Sequence, residues 1–255
     1  MSSKRRSIGS LIGLALIGAA MGCREEPPTA LASATLSEVA QTNLAYPAFL
    51  IDAQTAERYR QEGLRYRQEG RLDVAIAALK IAAALDPLNP NSHVILGWTQ
   101  HLAGDQPVAA QTLQRALQQE PDYVPALNAL GIVQLVAGNL EAAVSTHSRA
   151  AQLQPNNEIA HYNLSLAYER LGQFEEAITN AEIATQLEPQ NPHPWVALAL
   201  AHWSKGNQQQ AQSLYQQVVK IDSRYRSSSQ LPRLEQAGFS LEQIQATETL
   251  RQASL

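Results

Sequence analysis

The chain has 255 residues, of which 45% are apolar and 16% charged, and its formal net charge is −4. That composition excludes a wholly disordered chain and leaves ample length for a buried core. An acidic balance without a clustered Lys/Arg face argues against nucleic-acid binding, and the single cysteine, Cys23, excludes an intramolecular disulfide and Cys-based zinc sites.

The first element is an export signal. Lys4, Arg5 and Arg6 precede a charge-free, mostly apolar run from Ile8 to Met21. As a helix this run spans about 21 Å, short of the ~30 Å hydrocarbon core, so a secretory signal fits better than a permanent span. The next residues, Ala20-Met21-Gly22-Cys23, resemble a bacterial lipobox. The resemblance implies that residues 1–22 are a signal peptide and that Cys23 is the lipid-attachment site. It implies an exported, membrane-anchored lipoprotein facing the periplasm. The alternative is a secretory cut at Ala30-Leu31-Ala32 or Ala32-Ser33-Ala34, which leaves a soluble periplasmic or secreted protein. Removal of the three basic residues takes the net charge from −4 to −7. Residues 23–51 read as a tether. Pro27-Pro28 disfavours helix, Thr35–Leu44 is expected to form a short one, and Tyr46-Pro47 breaks it.

From residue 56 the chain repeats every 34 residues, five times, without insertion or deletion. Gly70, Gly104, Gly138, Gly172 and Gly206 hold one phase, and Ala75, Ala109, Ala143, Ala177 and Ala211 follow five residues later. Ala82, Ala116, Ala150, Ala184 and Val218 hold a third phase, and Pro87, Pro121, Pro155 and Pro189 a fourth. In the third repeat, Ala126, Leu127, Leu130 and Gly131 mark one helix, and Ala143, His147, Ala150 and Leu153 the next. The glycine supplies the left-handed residue that ends the first helix, and the proline stops the second. Close approach of the two helices asks for small residues, and Gly63, Gly97, Gly131, Ser165 and Ala199 are expected to face the alanines.

This pattern resembles the tetratricopeptide repeat (TPR), most plainly in the fourth repeat with Leu164, Ser165, Tyr168, Gly172, Phe174, Ala177, Ala184 and Pro189. The resemblance implies an all-α chain, a right-handed α-α superhelix of five helix-turn-helix repeats. The array is expected over 52–225, with repeats at 56–89, 90–123, 124–157, 158–191 and 192–225. Residues 226–255 are expected to cap the last repeat. There Leu231, Leu234 and Ala237 suggest a short helix ending at Gly238. Ser240 with Gln243 is a capping-box pattern ahead of a final helix carrying Leu241, Ile244 and Leu250.

The resemblance further implies that the first helix of each pair lines a concave face that takes a peptide or a partner helix. On the inward phase lie Arg60, Leu64 and Arg67 from the first repeat, and Val94, Trp98, His101 and Leu102 from the second. The third gives Asn128, Ile132, Leu135 and Val136, the fourth Tyr162, Asn163, Leu166, Glu169 and Arg170, and the fifth Val196, Leu200 and Trp203. The expected groove is apolar and aromatic through its middle and C-terminal part, with arginines at the N-terminal end. It suits an apolar or amphipathic segment of a partner protein. The alternative for any of these residues is packing between repeats, against the tether, or against the C-terminal cap.

No phosphate-binding glycine loop, His-Glu-x2-His pair or nucleophile elbow occurs. The histidines His93, His101, His147, His161, His193 and His202 are expected to be structural. No catalytic residue, metal site or cofactor is expected. The expected function is a non-catalytic adaptor or scaffold of the bacterial cell envelope, serving assembly. Alternatives are a soluble secreted TPR protein acting through self-association, or a non-catalytic subunit of an envelope enzyme complex.

Overall fold

The computed structural model describes residues 51–255; the signal segment, Cys23 and the tether up to residue 50, with its expected helix over Thr35–Leu44, lie outside the described residues. Five helix pairs follow one another: α1 (Ala53–Gln68) with α2 (Leu72–Leu85), α3 (Pro90–Leu102) with α4 (Gln106–Gln119), and α5 (Val124–Val136) with α6 (Leu140–Leu153). Then come α7 (Glu158–Arg170) with α8 (Phe174–Leu187), and α9 (Pro192–Lys205) with α10 (Gln208–Ile221). Two 3-10 segments, η1 (Ser223–Arg226) and η2 (Ser228–Ala237), lead to the last helix, α11 (Leu241–Ser254). Each second helix packs on its own partner and on the first helix of the next pair, so the pairs stack into a right-handed superhelix. Among the described residues there is no strand, and no helix is long and apolar enough to cross a membrane.

The turns follow from single residues. Gly104 sits at φ +86°, and the Asp105 amide reaches back to the Gln100 carbonyl at 3.0 Å. That six-to-one bond satisfies a carbonyl orphaned at the helix end, and only glycine adopts the left-handed turn without a Cβ penalty. The second helices end differently. Glu120 and Gln154 are extended, as residues before proline are driven to be. Asp222 adopts the same conformation before Ser223. Here the Asp222 carboxylate accepts from the Arg224 amide at 3.0 Å and grips its guanidinium at 2.8 Å. A local hydrogen-bonded turn replaces the missing proline, and the chain leaves the array at this point.

The packing of each pair extends one expectation. Ala75, Ala109, Ala143, Ala177 and Ala211 are fully buried. A Cβ on Gly63 would stand 3.3 Å from the Ala75 carbonyl oxygen and one on Gly97 3.2 Å from that of Ala109, but the first-helix glycines also face large side chains. A Cβ on Gly63 would stand 2.5 Å from Leu79 Cγ, and one on Gly97 would stand 2.7 Å from Leu113 Cγ. Gly131 lies against the ring of His147 in the same manner. The small residue on one helix makes room for a large one on its partner, and the ridge fills the groove. In the fourth pair Ser165 stands at this first-helix position, and the buried residue at the matching second-helix position is Ala181.

The largest apolar cluster decides where a site can lie. It runs from Leu135 through Leu166, Leu200 and Tyr215 into Leu234, Phe239 and Leu250. The C-terminal segment therefore shares one core with the third to fifth repeats. Gly238 at φ +88° ends η2, and the reciprocal Ser240–Gln243 capping box starts α11.

Candidate functional site

The first helices α1, α3, α5, α7 and α9 present one face to the inside of the superhelix. Its C-terminal half is filled by the chain itself. Leu135, Leu166, Val196 and Leu200, four of the expected groove residues, are at most 1% exposed. Gly238 lies in the cradle of Leu135, Asn163 and Leu166. The Tyr162 hydroxyl donates to the Ala237 carbonyl at 2.5 Å. From α11, Gln243 Nε2 donates to the Leu166 carbonyl at 3.2 Å and to Glu169 Oε2 at 2.7 Å. Trp203 packs against the same core. Leu135, Leu166, Val196 and Leu200 are covered by this packing and are not open to a partner, which corrects the reading of a groove running the whole length. The segment competes for the face because it is covalently attached and carries Leu231, Leu234 and Phe239, all nearly or fully buried.

The N-terminal end is also spoken for. Arg60 is 8% exposed. Its guanidinium donates to Glu57 at 2.8 Å, to Asp86 at 3.1 Å and to Ser92 Oγ at 2.7 Å, clasping α1 to the α2–α3 turn and to α3. A buried charge needs such partners, so Arg60 is structural. Arg67 is half-buried, and that burial pushes its guanidinium below the ordinary value. Val94 packs into the α4–α5 cluster. Asn128 exchanges hydrogen bonds with Asn157 at 3.0 and 3.4 Å, and Asn157 Oδ1 also caps α7 through the Ala160 amide. This pairing engages the Asn128 amide within the chain.

Between these ends a concavity of about 830 Å³ remains open. Trp98, His101, Ile132, Tyr162 and Asn163 line it, together with Leu102 and Val136. Trp98 and His101 lie 4.8 Å apart, ring centre to ring centre, and His101 Nδ1 donates to Gln106 Oε1 at 2.6 Å. The η2 segment, from Gln230 to Gly238, forms the opposite wall. Leu102, Val136 and the neighbouring Ile159 are 47%, 45% and 44% exposed. Exposed aliphatics at three positions around one concavity form a patch of the kind that marks interaction sites.

Sequence reasoning missed Ile159, His193 and Glu158. Ile159 precedes Tyr162 by three residues and Asn163 by four, so helical geometry puts it on their face. That signal was available one turn before the phase chosen. Glu158 carries the electrostatic feature of the site. It stands in the first turn of α7, where the helix dipole favours a carboxylate. Burial, and then the charge of Glu188, nevertheless push its carboxyl up to about 7. No cation lies within ion-pair distance of it among the described residues, and Arg224, which also lines the concavity, is held by Asp222. His193 is lowered by burial. Among the described residues no group of three or more His, Cys, Asp or Glu side chains could hold a metal ion.

Comparison with known proteins bears on the family. Tetratricopeptide repeat models match residues 60–124, 159–191 and 192–225, and a TPR repeat model matches 137–172. The chain carries tetratricopeptide repeats. Its fold is similar to that of several solved structures of MamA. One is 23% identical, covers 74% of this chain and 99% of its own, and has a TM-score of 0.59. A second is 25% identical, covers 64% and 95%, and has a TM-score of 0.58. MamA from Desulfovibrio magneticus RS-1, from residue 41 onward, is 22% identical, covers 68% and 98%, and has a TM-score of 0.62. At these identities the likeness is one of fold. No curated protein matches the chain by sequence.

Proposed function

We propose that this TPR chain is a non-catalytic adaptor that holds a segment of a partner protein in the open concavity over its second to fourth repeats. The observation that carries the reading is the occupant of the neighbouring half. There a peptide segment, the chain's own C-terminus, engages the concave face through apolar side chains and through hydrogen bonds to main-chain carbonyls. The open half continues that surface and leaves Leu102, Val136 and Ile159 exposed. Aromatic and aliphatic anchors of this kind dominate protein interfaces. In the same reading the adaptor is exported, is anchored through a lipid on Cys23, and serves a complex of the bacterial cell envelope. Support for the address comes from the basic stretch, the apolar run and the residues before Cys23.

A photocrosslinking residue at Leu102 or Val136 tests the groove in the native host, with Ile81 on α2 as a control of matched exposure. Discrete adducts at the two concave positions and none at Ile81 are expected. Adducts of equal yield at all three positions, or none at the concave pair, would overturn the reading. Cys23→Ser is expected to shift the protein out of the membrane fraction, and unchanged fractionation would remove the lipid anchor.

A further inference from the structure

The open concavity combines an apolar wall with one half-buried carboxylate that has no ionic partner. The apolar wall comes from Leu102, Ile132, Val136 and Ile159. The carboxylate is Glu158. The other charges around it are either neutralised in place or solvated. Asp222 and Arg224 form a bidentate pair. Arg233 and Glu235 stand on the exposed side of η2, opposite in sign and two residues apart. Glu188 adds a second negative charge near Glu158, and His193 is held towards its neutral form by burial. Desolvation of a carboxylate without a counter-charge is unfavourable, and the raised carboxyl of Glu158 expresses that cost. A cation delivered into the concavity would relieve it.

We propose that the concavity takes a basic amphipathic segment of a protein partner, its aliphatic side chains on Leu102, Val136 and Ile159 and one lysine or arginine against Glu158. The inference rests on the groove reading above. The tether, residues 23–51, carries a single basic residue, Arg24, directly beside the expected lipid-attachment residue Cys23, and none follows from 25 to 57. The C-terminal segment fills the adjacent half with apolar side chains, while its Arg251 is engaged by Glu248 and the Arg226 carbonyl. Glu158, with no ion-pair partner among the described residues, is thus open to a cation from another molecule. A charge-assisted hydrogen bond at a partly desolvated carboxylate selects strongly for its partner.

The test is selection from a random peptide library on the full chain, on Glu158→Gln and on Val136→Asp, with helicity checked for each. On the full chain the enriched peptides are expected to carry a lysine or arginine beside aliphatic residues. On Glu158→Gln the aliphatic preference should persist and the basic one vanish. Replacing the basic residue of a selected peptide with glutamine should weaken binding about tenfold on the full chain and little on Glu158→Gln. Enrichment of aliphatic peptides without a basic residue, or with an acidic one, would overturn the proposal and leave the groove standing. No enrichment on the full chain, or enrichment undiminished by Val136→Asp, would overturn the groove reading as well.

Discussion

His147 occupies in the third repeat the place that Leu79 and Leu113 hold in the first two, pressed against a glycine of the facing helix. It is fully buried, and neither ring nitrogen has a hydrogen-bond partner that meets ordinary geometry. Burial lowers its pKa to about 4. The folded chain therefore holds the ring neutral where an unfolded chain protonates near 6.5. Stability is unaffected above about pH 6.5 and falls as pH drops towards 4, because the unfolded state takes up a proton that the native ring refuses. The loss across that window amounts to about 3 kcal/mol. His147→Leu is expected to flatten this acid limb and to raise stability at pH 5 in urea melts. A variant with the same acid dependence as the parent would show that other groups set it. Gly97 gives the complementary prediction. A Cβ there meets Leu113 at 2.7 Å, so Gly97→Ala should destabilise by about 1–3 kcal/mol in the same assay.

At the scale of elements, the 34-residue period, the glycine turns and the final capping box were legible because each depends on a few residues close in sequence. Gly238 and the Ser240–Gln243 box have the form that sequence reading gave them. The engagement of Arg60, Asn128, Val196 and Leu200 was not legible. All four lie on the expected inward phase, but their partners are Asp86, Asn157 and the C-terminal core cluster, brought in by tertiary contact. Helical phase says which way a side chain points and not what arrives to cover it. A testable point lies at the junction of η2 and α11. Gly238→Ala places a Cβ in the left-handed region at a cost of about 1–2 kcal/mol. Amide exchange should then quicken in η2 and α11 and stay unchanged in α1 to α4. Uniform acceleration along the array would contradict this local account.

Across the whole molecule, the C-terminal segment sets how the array holds together. A stack of repeats is stabilised by nearest-neighbour interfaces, and an uncovered terminal repeat frays first. Here the segment does more than cover the last pair. It reaches back along the concave face to Tyr162 and Leu135, so it ties α5, α7 and α9 into one cluster. Leu234, fully buried in that cluster, is the residue to remove. Leu234→Ala should cost about 2–5 kcal/mol, because a large buried side chain leaves a cavity. The effect should be uneven. The third to fifth repeats should lose protection together, while the first two, whose cores are built from Leu79, Leu96 and Leu113, should keep theirs. Urea unfolding followed by Trp195 and Trp203 fluorescence in a Trp98→Phe background would report the C-terminal half, and far-UV dichroism the whole. Transitions that separate in Leu234→Ala and coincide in its parent would establish the segment as the tie. Transitions that stay coincident would mean that the repeats unfold as one unit without it.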